Sequence, residues 1–108
     1  MFYQGETIPI SISCDDKIKL SEYDFVMLVY PQYDNSKILE IRKHDFIKET
    51  LGGEERYRYE LSHEKTSELP AGDYVIEIMI PEKRGFRSVY QKLHAFTLKF
   101  SNAKKIEL

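Results

Sequence analysis

The sequence predicts an all-β fold, an antiparallel β-sandwich of about seven to eight strands. Short segments either alternate between apolar and polar residues or are continuously apolar. Turn residues separate these segments at intervals of roughly 8–12 residues, and helical periodicity is almost absent, a combination typical of sandwiches. The length of 108 residues suits one domain, which we expect to span residues 1–108.

Two early strands are predicted to lie in different environments. Residues 7–13 alternate, and Pro9 within them has no N–H to donate to a ladder, which places this strand at a sheet edge. Residues 25–30 are continuously apolar and predict a central strand covered on both faces, which Pro31 ends. The residues expected on the inner face of the first strand are Ile8, Ile10 and Ile12.

The middle of the chain predicts a further strand followed by a hairpin. Residues 37–42 read as a strand. Residues 43–51 are compatible with strand or helix, and the glycine pair 52–53 favours strand, two-residue turn, strand. The following strand, residues 56–61, has two distinct faces. Its inner face is expected to carry Tyr57, Tyr59 and Leu61.

The second half predicts a short capped helical turn from Ser62 to Glu68, and then two long strands. The first, residues 73–80, alternates, the polar residues 82–85 form a turn, and residues 89–100 form the last strand. The expected inward residues are Tyr74, Ile76, Ile78, Ile80, Phe96, Leu98 and Phe100, with Val75, Glu77 and Met79 outward.

The segment between these elements resembles the tyrosine corner of immunoglobulin-like and fibronectin-type domains. The resemblance rests on Leu69, Gly72 and Tyr74 in the pattern Leu-x-x-Gly-x-Tyr. In such corners a Tyr near the start of a strand donates its hydroxyl to a backbone carbonyl a few residues upstream. The resemblance implies an immunoglobulin-like β-sandwich, with Leu69 at the end of the core and Gly72 in the turn.

A wider likeness covers segments 5–10, 20–24, 61–66 and 69–78, which occur in the same order in small immunoglobulin-like domains of bacteriophage tail and baseplate proteins. That resemblance implies a non-enzymatic attachment or assembly module. It also implies incorporation into a phage-like particle.

Composition disfavours several classes of partner and compartment. Sixteen basic and eighteen acidic residues give a net charge of −2, so we expect no nucleic-acid partner. No apolar run approaches the ~20 residues needed to span a bilayer, so we expect no membrane association. The N-terminus has no basic segment followed by an apolar run, and we therefore expect cytoplasmic synthesis without a signal peptide.

Residues able to carry chemistry are sparse. His44, His63 and His94 show no metal-ligand spacing, and Cys14 is the only cysteine. The adjacent carboxylates at 15–16 would raise the pKa of the Cys14 thiol and weaken it as a nucleophile. The sequence therefore predicts no enzyme, no catalytic residue, no metal site and no cofactor.

A basic and aromatic turn forms the candidate interaction surface. Its residues are Lys83, Arg84, Phe86, Arg87 and Tyr90. Such a group suits contact with phosphate or with an acidic partner. It is more typical of a solvated hairpin tip whose long charged side chains keep a strand edge soluble.

Two functional hypotheses follow from the sequence. The first is a structural or protein–protein interaction module, acting through a protein partner or self-association. The second is a ligand-binding sandwich for a glycan or small molecule, using exposed tyrosines. The tyrosines considered for that role are Tyr30, Tyr33, Tyr57 and Tyr90. The sequence leaves open the partner, the oligomeric state and the strand order.

Overall fold

The computed structural model describes residues 1–13, 19–33 and 38–100, and this part of the chain is mostly β-strand. The strands are β1 Phe2–Tyr3, β2 Ile8–Ser13, β3 Val26–Pro31, β4 Leu39–Arg42, β5 Ile47–Leu51, β6 Glu54–Leu61, β7 Gly72–Glu82 and β8 Gly85–Lys99. One short helix, α1, covers His63–Glu68, and 3-10 turns cover Leu20–Glu22 and Lys43–Asp45. The all-β prediction is confirmed.

The strands form two sheets. One has five strands in the order β1-β8-β7-β3-β4, and the other has three in the order β2-β6-β5. Every pair is antiparallel except the short β1, which runs parallel to β8 with Phe2 beside Leu98. The antiparallel prediction therefore holds for all pairs but this one.

The three-stranded sheet follows the sequence pattern closely. β2 lies at its edge, as Pro9 predicted. The inward residues of β2 and β6 face each other in register, with Ile8 opposite Leu61 and Ile12 opposite Tyr57.

Residues 43–51, which the sequence left open between strand and helix, contain a short helical turn and a strand. A 3-10 turn precedes strand β5, and a two-residue turn then leads into β6. Gly52 and Gly53 have φ of 58° and 85°, which is why glycines connect these strands. The predicted arrangement of strand, Gly-Gly turn and strand is confirmed.

The five-stranded sheet is apolar on both faces near its centre. β3 lies between β7 and β4, and its neighbouring residues Val26 and Met27 are 4% and 0% exposed although they point to opposite faces. The central position of β3 is confirmed, but its outer face is not fully covered, because Leu28 and Tyr30 are only partly buried there.

Two residues differ in burial from what the alternation predicts. Val75 was expected to point outward to solvent, yet it is 1% exposed. It does lie on the outer face, opposite Tyr30, but larger side chains of β3 and β8 enclose it there. Phe100 was expected inward and is 75% exposed, because β8 ends at Lys99 and the paired sheet does not reach it.

Side chains from both sheets fill one hydrophobic core. Within it the ring of Phe25 contacts those of Phe46 and Tyr57 edge-on, with centroids 5.3 and 5.0 Å apart. Such edge-to-face pairs add roughly 0.5–1.5 kcal/mol each beyond the burial of their area. The buried members of the core are Ile8, Ile10, Leu20, Phe25, Met27, Val29, Ile41, Phe46, Tyr57, Leu61, Leu69, Tyr74, Ile76, Ile78, Ile80, Phe96 and Leu98.

Tyr74 lies near the start of β7 and makes the bond that the tyrosine-corner pattern predicts. Its hydroxyl donates to the Pro70 carbonyl oxygen at 2.6 Å, four residues upstream. Its ring stacks on Phe96, with centroids 5.0 Å apart and planes 7° from parallel. Gly72 has φ of +146°, so the intervening turn uses a backbone conformation that favours glycine. Burial raises the pKa of Tyr74 to about 12.

At this end of the molecule, two chain segments that cross between the sheets are joined by hydrogen bonds. Thr66 of α1 is fully buried, and its hydroxyl donates to the Glu6 carbonyl at 2.7 Å and accepts from the Gly5 N–H at 3.1 Å. Gln4 Nε2 donates to the Leu69 carbonyl at 2.8 Å. The link from β1 to β2 is thereby fixed to the link from β6 to β7.

Lys43 makes the equivalent connection at the opposite end. Its Nζ donates to the carbonyls of Ser21 and Tyr23 at 3.0 and 2.8 Å. The ammonium also lies 6.0 Å from the ring centre of Phe25 and 5.9 Å from that of Tyr57. The segment entering β3 is thus fixed to the segment leaving β4.

We predict that Tyr74→Phe lowers the free energy of unfolding by about 1 kcal/mol, because the Pro70 carbonyl loses its donor while the ring packing is kept. Urea unfolding measures the change. Tyr33→Phe is the matched control, since Tyr33 is 90% exposed, and it should have no effect. Equal stability of the Tyr74→Phe and Tyr33→Phe proteins would contradict the role of the bond.

The raised pKa of Tyr74 predicts a loss of stability in alkali. The folded state holds this proton up to a pH of about 12, whereas an unfolded tyrosine releases it near pH 10. The contribution is therefore complete below about pH 10 and disappears as the pH rises towards 12. The free energy of unfolding should fall more steeply over this range in the natural protein than in Tyr74→Phe. Parallel pH profiles would exclude Tyr74 as the titrating group.

Candidate interaction site on the β7–β8 hairpin

The candidate surface lies on a long hairpin formed by β7 and β8. Glu82 pairs with Gly85, so Lys83 and Arg84 form a two-residue turn, as the sequence predicted. Gly85 has φ of +103°, which favours glycine at this position. Residues 81–88 are all exposed, and this end of the hairpin therefore projects from the core.

The structure brings three of the five predicted residues together. Lys83, Arg84 and Arg87 line a shallow groove of about 600 Å³ beneath the turn, with Tyr23 on its far side. Arg87 also donates a short hydrogen bond to Glu82 across the hairpin. Lys83 and Arg84 make no ion pair within the described residues, so their charges face solvent.

Phe86 lies on the other face of the hairpin. It is opposite Pro81 in the register, whereas Arg87 is opposite Ile80, whose side chain belongs to the core. Adjacent residues of a strand point to opposite faces. Phe86 is 51% exposed and is an unusually large apolar group for a hairpin tip. It therefore stands apart from the basic groove.

Tyr90 is also separate from the turn. It lies opposite Ile78, on the core-facing side of β8, and lines a cleft of about 230 Å³ between β2 and β8. Lys92 and Ile10 line the same cleft. The five predicted residues thus occupy one hairpin but three different positions on it: the groove, the opposite face and the cleft.

The outer edge of β8 is largely unpaired. Only Leu98 and Lys99 pair with β1, so within the described part of the chain no strand covers the edge from Gly85 to Thr97. The register shifts twice along β8, and one shift surrounds His94, which has φ of 52°. Bulges of this kind twist an edge strand and oppose the addition of another strand.

The charge of the hairpin is strongly biased. Between Glu82 and Lys92 the chain has four basic side chains and one acidic one. Arg56 and Arg58, in contrast, lie near the carboxylates of Glu54 and Glu49 at 3.5 and 3.3 Å. The hairpin therefore presents more uncompensated positive charge than this other arginine-bearing face.

The histidines do not assemble a catalytic or metal site in the described residues. His44 lies 3.5 Å from Asp45 and is largely exposed. Asp73 accepts from the Thr97 hydroxyl at 2.7 Å, and its other oxygen lies 3.3 Å from His94 Nδ1. The Thr97 hydrogen bond, and to a lesser extent His94, lower the pKa of the Asp73 carboxyl. Across residues 1–13, 19–33 and 38–100, no three His, Cys, Asp or Glu side chains form a metal-sized group. Cys14 lies outside the described residues.

The tyrosines proposed as glycan platforms do not share one surface. Tyr57 is 3% exposed and belongs to the core, so its assignment as an exposed residue was wrong. Tyr33 is 90% exposed and Tyr90 is 50% exposed. Tyr30 is half-buried, and its hydroxyl is hydrogen-bonded to side chains of β7 and β8 that the sequence analysis did not single out.

No family model matches the chain, and neither a curated protein nor a solved structure shows a match. Within the described ranges, the structure has no helix with the length and apolar character needed to cross a membrane.

Proposed function

We propose that this chain is a non-enzymatic structural or protein–protein interaction module that binds an acidic protein partner through the tip of the β7–β8 hairpin. The observation that carries the proposal is the projecting, basic hairpin, with two solvent-facing cations in its turn and half-exposed Phe86 on the face opposite the basic groove. The other end of the hairpin packs into the hydrophobic core that both sheets share. A rigid base of this kind lets a small exposed tip act as a preorganised contact.

We further propose that the fold is an immunoglobulin-like sandwich. The order β8-β7-β3-β4 corresponds to strands G, F, C and C′, and the order β2-β6-β5 corresponds to B, E and D. Tyr74 lies near the start of β7, the strand that corresponds to F, where a tyrosine corner is expected. Both correspondences support the assignment.

The chemistry of the tip indicates the type of partner. Lys83 and Arg84 supply charge that steers an acidic surface towards the hairpin. Phe86 supplies an apolar anchor of the kind that dominates binding energies when it enters a pocket. Because bulges and basic residues oppose strand addition along β8, contact through these side chains is favoured over extension of the sheet.

The resemblance to bacteriophage tail and baseplate domains supports an assembly role, in which the partner belongs to a phage-like particle. The partner surface would carry carboxylates around an apolar pocket. Self-association through the same hairpin is the alternative arrangement within this proposal.

We predict that the double variant Lys83→Glu, Arg84→Glu weakens partner capture about tenfold or more, since attraction becomes repulsion. Phe86→Ser should weaken it through loss of the anchor. The measurement is quantitative capture of proteins from the source cells by the tagged chain, with light scattering to detect self-association. Capture should also fall as salt is raised.

Lys99→Glu is the matched control, because Lys99 is exposed on β8 away from the tip and should leave capture unchanged. Thermal unfolding checks that all variants fold. A chain that stays monomeric and captures no protein in a hairpin-dependent way would contradict the proposal.

A further inference from the structure

The outer face of the five-stranded sheet carries a groove of about 400 Å³, away from the hairpin tip. Its floor is Val75, and the partly buried Leu28 lies beside it. Ile38 and Leu93 form aliphatic walls and are 49% and 57% exposed. Two exposed aliphatic side chains flanking a buried one form an apolar channel of the size of a small-ligand site.

Three polar side chains meet at one end of the groove. Tyr30 donates its hydroxyl to Glu77 Oε1 at 3.2 Å and accepts from Gln91 Nε2 at 2.9 Å. The three residues come from the adjacent strands β3, β7 and β8, and Glu77 lies directly opposite Gln91 in the register. The strand pairing itself therefore holds the network in place.

The network leaves acceptors without donors. No described residue donates to Glu77 Oε2 or to Gln91 Oε1. Both atoms belong to side chains that line the groove. The groove thus offers two open acceptors at its polar end.

Among the described residues that line the groove, Glu77 carries the one charged side chain. Arg42 of β4 is bonded to Glu40 at 2.6 Å, and no described basic side chain pairs with Glu77. A ligand with a positive charge and N–H donors would neutralise the Glu77 carboxylate and donate to the open acceptor oxygens.

We propose that this groove binds an aliphatic cation, a primary ammonium or guanidinium group on an alkyl chain. The charged head is bound by Glu77 Oε2 and Gln91 Oε1, and the chain lies along Val75 between Ile38 and Leu93. A sugar fits less well, because Tyr30 is the one aromatic side chain among the described lining residues and its hydroxyl is already engaged.

The same chemistry has two sources: a free alkyl cation, or a Lys or Arg side chain of another protein molecule. A second copy of this chain offers Lys83 and Arg84 at its exposed turn. The site uses no residue of the hairpin tip, so its binding of a free cation can be tested apart from the proposed partner contact.

Titration of the isotope-labelled chain with hexylguanidinium or hexylammonium, followed by amide NMR, tests the proposal. Millimolar concentrations should shift the amides of Val75, Glu77 and Gln91 selectively. Hexanol, which has the same chain without the charge, should bind at least tenfold more weakly. Absence of selective shifts, or equal binding of hexanol, would overturn the proposal.

Glu77→Gln should weaken hexylguanidinium binding about tenfold or more while conserving side-chain shape. Leu93→Ser provides a second variant, since it shortens the wall at an exposed position and should weaken binding severalfold without altering charge. Glu60→Gln, exposed on the other sheet, is the control and should bind as the natural protein does. If both groove variants bind hexylguanidinium as tightly as the natural protein does, the cation binds at another site and the proposal is wrong.

Light scattering distinguishes the two sources. If a second copy supplies the cation, the chain associates with rising concentration, and hexylguanidinium disperses the assembly. If the chain stays monomeric while hexylguanidinium binds in the groove, the site takes a free cation. Association that the Glu77→Gln variant retains in full would overturn the assignment to a second copy.

Discussion

The structure depends on how the chain crosses between its two sheets. Four connections cross, and they are fixed in pairs at opposite ends. At one end Thr66 and Gln4 join two of them through backbone carbonyls and an amide, and Tyr74 closes the adjoining turn. At the other end the Lys43 ammonium joins the remaining two. Because partly buried backbone groups need partners, these bonds satisfy backbone groups of the connections and also fix the connections to one another in pairs.

Both proposed binding features are built on the two strands that this framework holds. From the turn at Tyr74, β7 runs through the larger sheet with β8 paired beside it. The two strands continue beyond the core as the exposed hairpin. The outer face of their central part carries the Glu77 groove, and their far end carries the basic tip. The two features have opposite charge character, so one molecule presents complementary surfaces along a single hairpin.

The sequence predicted the strands well because alternation directly reports which residues share a face. It placed Ile8, Ile10 and Ile12 of β2 correctly, and it predicted the corner from Gly72 and Tyr74. Alternation reports neither which face is covered nor where a strand ends, which is why the burial of Val75 and the exposure of Phe100 were missed. The groove required strand register, since Tyr30, Glu77 and Gln91 are far apart in sequence. The role of Lys43 could not be predicted either, because it depends on the β2–β3 and β4–β5 connections lying close together in space.

Native-state hydrogen exchange tests most directly the claim that the paired crossings make the two sheets one cooperative unit. We predict that buried amides of β6 and β7 exchange with the same opening free energy, equal to that of global unfolding, while outward amides of β8 between Gly85 and Leu93 exchange far faster. A lower opening free energy for β6 than for β7 would show that the three-stranded sheet opens separately. That result would contradict the account.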